Sequence, residues 1–408
     1  MVLAVILILF CLLAAFRKTV ANWAYSSGRA EVRQNNDVSA ARDFKLAMML
    51  DPSDTFAHNN YALVLIRQKK YDLAVSEMRG LLRSYPHDAG AHFCLAEALD
   101  YQHKSDEAIS EFRMAIRYDP QNAPAKVDLA SLLIIKRKYP EAAAIARQAI
   151  LIAPRDYMAH EMLGSALLRQ GNIVGGVASY REALQIEPGS AKVHGKFALD
   201  LRRAHQLDGA VAELKEAIRI DPTHAAYHTN LSYTFVRRGD YQNALAEAQE
   251  AVKQDPRSAT AHNNLGYDLY LLHHSRQESI AEFQRALAIN PKYANAYDNL
   301  GFIAYKHGDF DEARREYSIG LQIKPDDPVI RSDYAELLAS QGDTKAALSE
   351  CQKALTPIPE EPIVYKCYGY VLYKAGQKAQ ARAQWRKVIA MDDADAAQQA
   401  REYLAKYP

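Results

Sequence analysis

Residues 294–325 read ANAYDNLGFIAYKHGDFDEARREYSIGLQIKP. With Ala294 as position 1, Tyr297 falls at 4, Leu300 at 7, Gly301 at 8, Ala313 at 20, Tyr317 at 24, Gly320 at 27 and Pro325 at 32. Apolar and small residues recur at helical spacing twice, at Tyr297, Leu300, Gly301 and Ala304, then at Ala313, Tyr317, Gly320 and Leu321. Between the two runs lies His307-Gly308-Asp309, whose glycine suits a left-handed helix C-cap. Pro325 ends the second run, because proline has no N–H and disfavours helix in the residue before it. The stretch therefore predicts two short helices joined by a tight turn.

The prolines carry this unit along the chain. Pro52, Pro86, Pro120, Pro154, Pro188, Pro222 and Pro256 follow one another at 34 residues. Pro291 comes after 35, Pro325 and Pro359 resume the 34-residue step, and Asp393 falls one step further. Position 8 holds Gly28, Ala62, Ala96, Ala130, Gly164, Ala198, Ser232, Gly266, Gly301, Ala335 and Gly369. Position 20 is Ala, Gly or Ser in every unit, from Ala40 to Ala381. Position 24 is larger and more variable, with Phe44, Met78, Phe112, Tyr180, Phe283 and Trp385 among its occupants. The one 35-residue step is assigned to an extra residue in His273–Gln277, between the two helices of its unit, where an insertion costs least.

This pattern resembles the tetratricopeptide repeat: a large residue, Leu and Gly on one helix, Ala, an aromatic and a small residue on the next, then Pro. The resemblance implies an all-α fold, a right-handed superhelical solenoid of about eleven helical hairpins. The division expected is a hydrophobic segment over residues 1–20, the array over 21–393 and a capping helix over 394–408. In Ala394–Tyr407, Ala397, Ala400 and Leu404 share one face, and Gln398, Arg401, Glu402 and Lys406 lie elsewhere. A repeat array needs such a polar-backed end.

The 408 residues carry 50 basic and 49 acidic side chains, a balance that calls for no nucleic-acid partner. The cysteines Cys11, Cys94, Cys351 and Cys367 form no CxxC, so neither a zinc knuckle nor a dithiol redox site is expected; Cys351 and Cys367 read as small buried residues on adjacent helices. No phosphate loop, dinucleotide fingerprint, HExxH or GxSxG occurs, and His160-Glu161 is followed by Met-Leu-Gly. The expectation is a non-catalytic chain with no cofactor, no metal and no small-molecule substrate. Position 4 holds His58, His92, His160, His194, His228 and His262. Successive hairpins stand ~10 Å apart, so two such histidines do not readily share a zinc ion, and packing between helices is the expected role. The pair His224 and His228 has no evident third ligand.

Val2–Phe16 is an unbroken apolar run followed by Arg17 and Lys18. A spanning helix needs about twenty apolar residues, and snorkelling by the basic pair with an interfacial Trp23 would extend this one. The reading is an uncleaved membrane anchor through residues 2–16, with the flanking charges placing the repeats on the cytoplasmic side. The alternatives are a signal sequence, which would make the array exported or periplasmic, and a buried helix capping the array.

In the tetratricopeptide family the first helices line a concave groove, mainly through positions 2, 5, 9, 12 and 13. The resemblance therefore implies a protein or peptide ligand and points to particular side chains here. Position 13 is basic in seven units, at Arg33, Arg67, Arg169, Arg203, Arg237, Lys306 and Lys374. A cation near a helix C-terminus complements the dipole, which accounts for part of this ladder. Lys192, Arg202 and Arg203, with Arg169 before and Arg237 after, add a cluster suited to an acidic or carboxylate-bearing segment. Further on the lining turns aromatic, with Tyr233, Tyr267, Tyr270, Phe302, Tyr305, Tyr370 and Tyr373, side chains that serve equally as binding anchors and as packing within the array. At position 6, Asn230, Asn264 and Asn299 are similar to an asparagine ladder in the repeats of O-linked N-acetylglucosamine transferases, which holds an extended peptide backbone. Asn60 shares the position, but Cys94, Met162, Lys196 and Cys367 interrupt the ladder, and only fifteen residues follow the repeats. The carboxylate clamp of some relatives is incomplete: Lys192 and Lys196 match its basic pair, but Met162 stands in place of its asparagine.

Overall fold

A computed structural model describes residues 2–273, 275–355, 362–391 and 394–407. Among these the chain is entirely helical and divides into two units, Met1–Pro188 and Gly189–Pro408. The first holds five hairpins: Val2–Arg33 with Asp37–Leu50, Thr55–Arg67 with Tyr71–Ser84, Ala89–Tyr101 with Ser105–Tyr118, Ala123–Ile135 with Tyr139–Ile152, and Tyr157–Arg169 with Ile173–Ile186. The second holds hairpins six to eleven: Ala191–Arg203 with Leu207–Ile220, Ala225–Arg238 with Tyr241–Gln254, Ala259–His273 with Arg276–Ile289, Ala294–Lys306 with Phe310–Ile323, Pro328–Ser340 with Thr344–Leu355, and Pro362–Lys374 with Lys378–Ala390. Ala394–Lys406 closes it. The fold is the all-α hairpin solenoid expected from the lattice.

In ten of the eleven hairpins the turn is made at position 15. Gly171, Gly239, Gly308, Gly342 and Gly376 adopt positive φ there, and so do Asn35, Lys69, His103, Arg137 and His205. Aspartate or asparagine caps many first helices: Asp54, Asp88, Asn122, Asp156 and Asp327 accept from backbone N–H groups of the first turn.

The core follows from complementary volumes at positions 8 and 24. Where position 8 is glycine, position 24 is a large ring: Gly28 with Phe44, Gly164 with Tyr180, Gly266 with Phe283, Gly301 with Tyr317 and Gly369 with Trp385. A Cβ on Gly301 would stand 2.8 Å from the Tyr317 ring. All five rings are essentially without exposed surface. Where position 8 is alanine, its partner is usually smaller, as in Ala130 with Ala146 and Ala198 with Leu214.

The first helix runs without a break through residue 20, and Ala21 and Ala24 are buried in the first hairpin. Among the described residues no helix is long and apolar enough to cross a membrane. The anchor expected over residues 2–16 rests on side chains of which residues 2–11 lie outside those described. Downstream, Leu12, Leu13, Phe16 and Trp23 are exposed, and Arg17 donates to the Met49 carbonyl at 3.0 Å. Pro359 and Asp393 also lie outside the described residues. In the closing helix Ala397 and Ala400 are buried, and Tyr403 and Tyr407 pack on Trp385 at centroid distances of 5.6 and 6.0 Å.

Candidate functional site

At position 4, four of the histidines fasten the two helices of their hairpin. His92 Nδ1 lies 2.5 Å from Glu111, His194 Nδ1 2.6 Å from Glu213 and His228 Nδ1 2.7 Å from Glu247. Each partner sits 19 residues ahead, on the second helix of the same hairpin. In hairpin eight the partner of His262 is Glu282, 20 residues ahead at 2.7 Å, which places the inserted residue between the two. The other ring nitrogen meets the carbonyl of the lattice proline six residues back: His92 to Pro86 at 3.1 Å, His160 to Pro154 at 3.0 Å and His262 to Pro256 at 3.1 Å. Lys126, Tyr297 and Arg331 make the same proline contact, and Arg331 also pairs with Glu350. Five of the six position-4 histidines are thus held by contacts within the array, whereas both ring nitrogens of His58 are buried without a partner. Cys94, Cys351 and Cys367 are buried free thiols.

In the second unit the first helices bring the expected basic residues together in hairpins six and seven. The Arg202 guanidinium lies 4.6 Å from the centroid of the Tyr233 ring and donates to the Asn230 carbonyl at 3.4 Å. Burial lowers its pKa to about 10; the neighbouring charges of Arg203 and Arg237 act in the same direction and Tyr233 opposes them. Arg203 is exposed and bonds Asp200 at 3.2 Å, Arg237 is half-buried, and Lys192 is exposed. Tyr233 keeps 40 % of its surface, so this pair of hairpins presents an accessible ring carrying a half-buried cation. Arg169 is half-buried in the first unit, on the helix Tyr157–Arg169.

Hairpins eight and nine continue the row with aromatic side chains. Tyr270 meets Phe302 edge-on at 5.7 Å, and Lys306 Nζ stands 5.2 Å from the Phe302 ring and 5.6 Å from that of Tyr305. Tyr267, Tyr270, Phe302 and Tyr305 are all half-buried and Lys306 is exposed. Tyr370 and Tyr373 are drawn instead into the packing of the closing helix, with Tyr407 at 5.8 and 4.8 Å.

The position-6 asparagines also bond within the array. Asn264 Nδ2 donates to the Thr229 carbonyl at 3.3 Å, and Asn299 Nδ2 donates to Asn263 Oδ1 at 2.9 Å. Both bonds tie neighbouring first helices, so at least one amide donor of each serves the array itself. Asn230 is half-buried, and its backbone carbonyl also accepts from Thr234 at 2.7 Å.

Two carboxylate groupings escaped the sequence reading. In the first unit the half-buried Glu97 has Oε2 enclosed without a hydrogen-bond partner; burial, then Asp128 and Asp100, push its pKa up to about 7. In the second unit Asp333 and Glu336, on Pro328–Ser340, gather with Cys367 of the next first helix, their donor atoms within 4.8 Å of one another. Burial and then Glu336 push Asp333 up to about 7, with Lys366 and Lys306 opposing. The available signal was a spacing: position 9 of one unit and position 6 of the next, 31 residues apart, are neighbours, as Glu97 is to Asp128 and Glu336 to Cys367. A surface cleft of about 780 Å³ also opens in hairpins seven and eight, lined by Leu245, Leu265, Glu278 and Arg285 among others, and by none of the expected groove residues.

Models of the tetratricopeptide repeat match residues 59–123, 93–156, 128–191 and 196–259, then 304–366, and a TPR-repeat model matches 277–308. The matched stretches together cover more than half of the chain. The crystal structure of yeast Tom70 is similar over 95% of this chain and 96% of that one, with a TM-score of 0.51 and 12% identity, a likeness of fold. No curated protein matches the chain.

Proposed function

The chain belongs to the tetratricopeptide-repeat proteins, and on that premise we propose that it is a non-catalytic scaffold whose first helices grip an extended segment of a partner protein. The observation that carries the reading is Arg202. Its guanidinium is half-buried, lies against an accessible tyrosine and has two further arginines beside it. A carboxylate of a bound segment would relieve that like-charge crowding and gain charge-assisted hydrogen bonds. The half-buried rings of hairpins eight and nine offer apolar contact next to it. An acidic side chain followed by apolar residues is the segment this row would take. The test is affinity capture from native membranes with the full chain and with a variant carrying Arg202→Glu and Arg203→Glu. Partners should be lost from the variant; a full set of partners on both would sink the idea.

The membrane tether belongs to the same proposal. Leu12, Leu13 and Phe16 within the apolar run of residues 2–16 are exposed, as is Trp23 after it, and Arg17 and Lys18 beyond the run favour repeats on the cytoplasmic side. Two rival roles use the same row of residues: an exported or periplasmic assembly factor, and a regulatory subunit of a separately encoded transferase. Fractionation with N-terminal sequencing of the mature chain separates the first rival from a tethered adaptor, and a co-purifying catalytic subunit would favour the second.

A further inference from the structure

We propose that Asp333, Glu336 and Cys367 form a binding site for a divalent, zinc-like metal ion that ties hairpin ten to hairpin eleven. The two carboxylates stand at i and i+3 on one helix, hence on one face, and the thiol comes from the neighbouring first helix. Cys367 Sγ lies 3.5 Å from Glu336 Oε2, and the edge between sulfur and oxygen in a tetrahedral zinc site is ~3.5 Å, from bond lengths of ~2.3 and ~2.0 Å. All three donor atoms lie within 4.8 Å of one another, so small side-chain shifts suffice to bring them onto one ion.

A thiol donating to a carboxylate would explain the sulfur–oxygen distance alone. It does not explain Tyr317. That side chain has no exposed surface, its hydroxyl has no hydrogen-bond partner, and the groups whose charge bears on it are Asp333, Asp298, Glu336 and Cys367. Asp298 likewise has an enclosed Oδ1 without a partner. A buried phenol aimed at a cluster of acids is the kind of group that orients a metal-bound carboxylate or an ion-bound water from the outer shell.

Two lysines lie near enough for their charge to bear on Asp333, and both have other contacts: Lys306 stands over Phe302 and Tyr305, and Lys366 donates to Gln399 at 2.9 Å. Three protein donors leave one tetrahedral position for water or a ligand atom.

The experiment is a cobalt(II) titration of the reduced, chelator-treated full chain, followed by absorbance, with zinc competition. The expected result is one equivalent of Co²⁺ with a thiolate-to-cobalt charge-transfer band that zinc displaces. Cys367→Ser should lose the band, whereas Cys94→Ser, in the other unit, should keep it. Asp333→Asn and Glu336→Gln should each weaken binding by more than ~100-fold, and Tyr317→Phe by about tenfold with the band retained. No band in the wild-type chain, or a band that survives Cys367→Ser, overturns the proposal. Binding indifferent to both carboxylate substitutions does so too. Circular dichroism of each variant before titration checks its fold; if Cys367→Ser fails that check, the wild-type titration and the two carboxylate variants decide.

Discussion

A single atom's worth of space governs the packing at position 8. The ring of Tyr317 lies against Gly301, and a Cβ placed there would meet ring carbons at 2.8 Å. The ring is fully buried and has nowhere to go. Gly301→Ala should therefore destabilise the chain by ~1–3 kcal/mol of overpacking, less whatever the alanine returns in helix propensity. Gly80 makes the contrast: it is exposed in the helix Tyr71–Ser84, and nothing lies within 4 Å of its would-be Cβ. Gly80→Ala should stabilise by ~0.5–1 kcal/mol, and urea midpoints of the two variants check the opposite signs. Glu97 carries a pH dependence. Its pKa is about 7 in the folded chain against 4.5 ordinarily, so folding favours its protonated form. As pH rises from about 4.5 through about 7 the unfolded chain releases this proton first, and stability falls across that window. Glu97→Gln should match wild type near pH 4 and be more stable by ~2–3 kcal/mol at pH 8, measured by denaturant unfolding at both.

Between helices the working part is the position-4 donor. It reaches forward to a glutamate on the second helix and back to the proline carbonyl that ends the preceding hairpin. A protonated histidine satisfies both acceptors at once, and lysine, tyrosine or arginine can serve the proline side. His228 is buried and Glu247 is the acceptor of its Nδ1, so a double-mutant cycle with His228→Ala and Glu247→Ala should return a coupling of ~1–3 kcal/mol. A coupling near zero would mean that this contact contributes nothing to the hairpin. The turn offers a second element-level test. Gly308 sits at φ 84°, where a side chain is strained, and Gly308→Ala should cost ~1 kcal/mol.

Across each unit, hairpins rest on their sequence neighbours, so the ends are the weak points. The closing helix covers Trp385 and packs Tyr403 and Tyr407 against Tyr370 and Tyr373. Deleting residues 394–408 should expose that aromatic cluster. Hydrogen exchange should then show protection lost in hairpin eleven and kept in hairpins six to nine.

Reading the chain alone was enough for the repeat because its marks are local and periodic: a proline every 34 residues, small residues at positions 8 and 20, and helical spacing within each half-unit. A hairpin cannot bury its own apolar side, and stacking on the next copy is the solution such a period allows. The groove residues were legible only by position. Which of them face a partner and which serve the array depends on contacts between side chains about thirty residues apart. Asn264 was expected to hold a peptide backbone and donates to the Thr229 carbonyl, while Tyr370 was placed in the lining and packs on Tyr407. The meeting of Glu336 with Cys367, and of a buried Tyr317 with both, is likewise a product of stacking. Local spacing thus determined the helices, their turns and their order. Tertiary packing decided which polar groups are spent within the array, because burial and distance between repeats have no counterpart in the period that generates them.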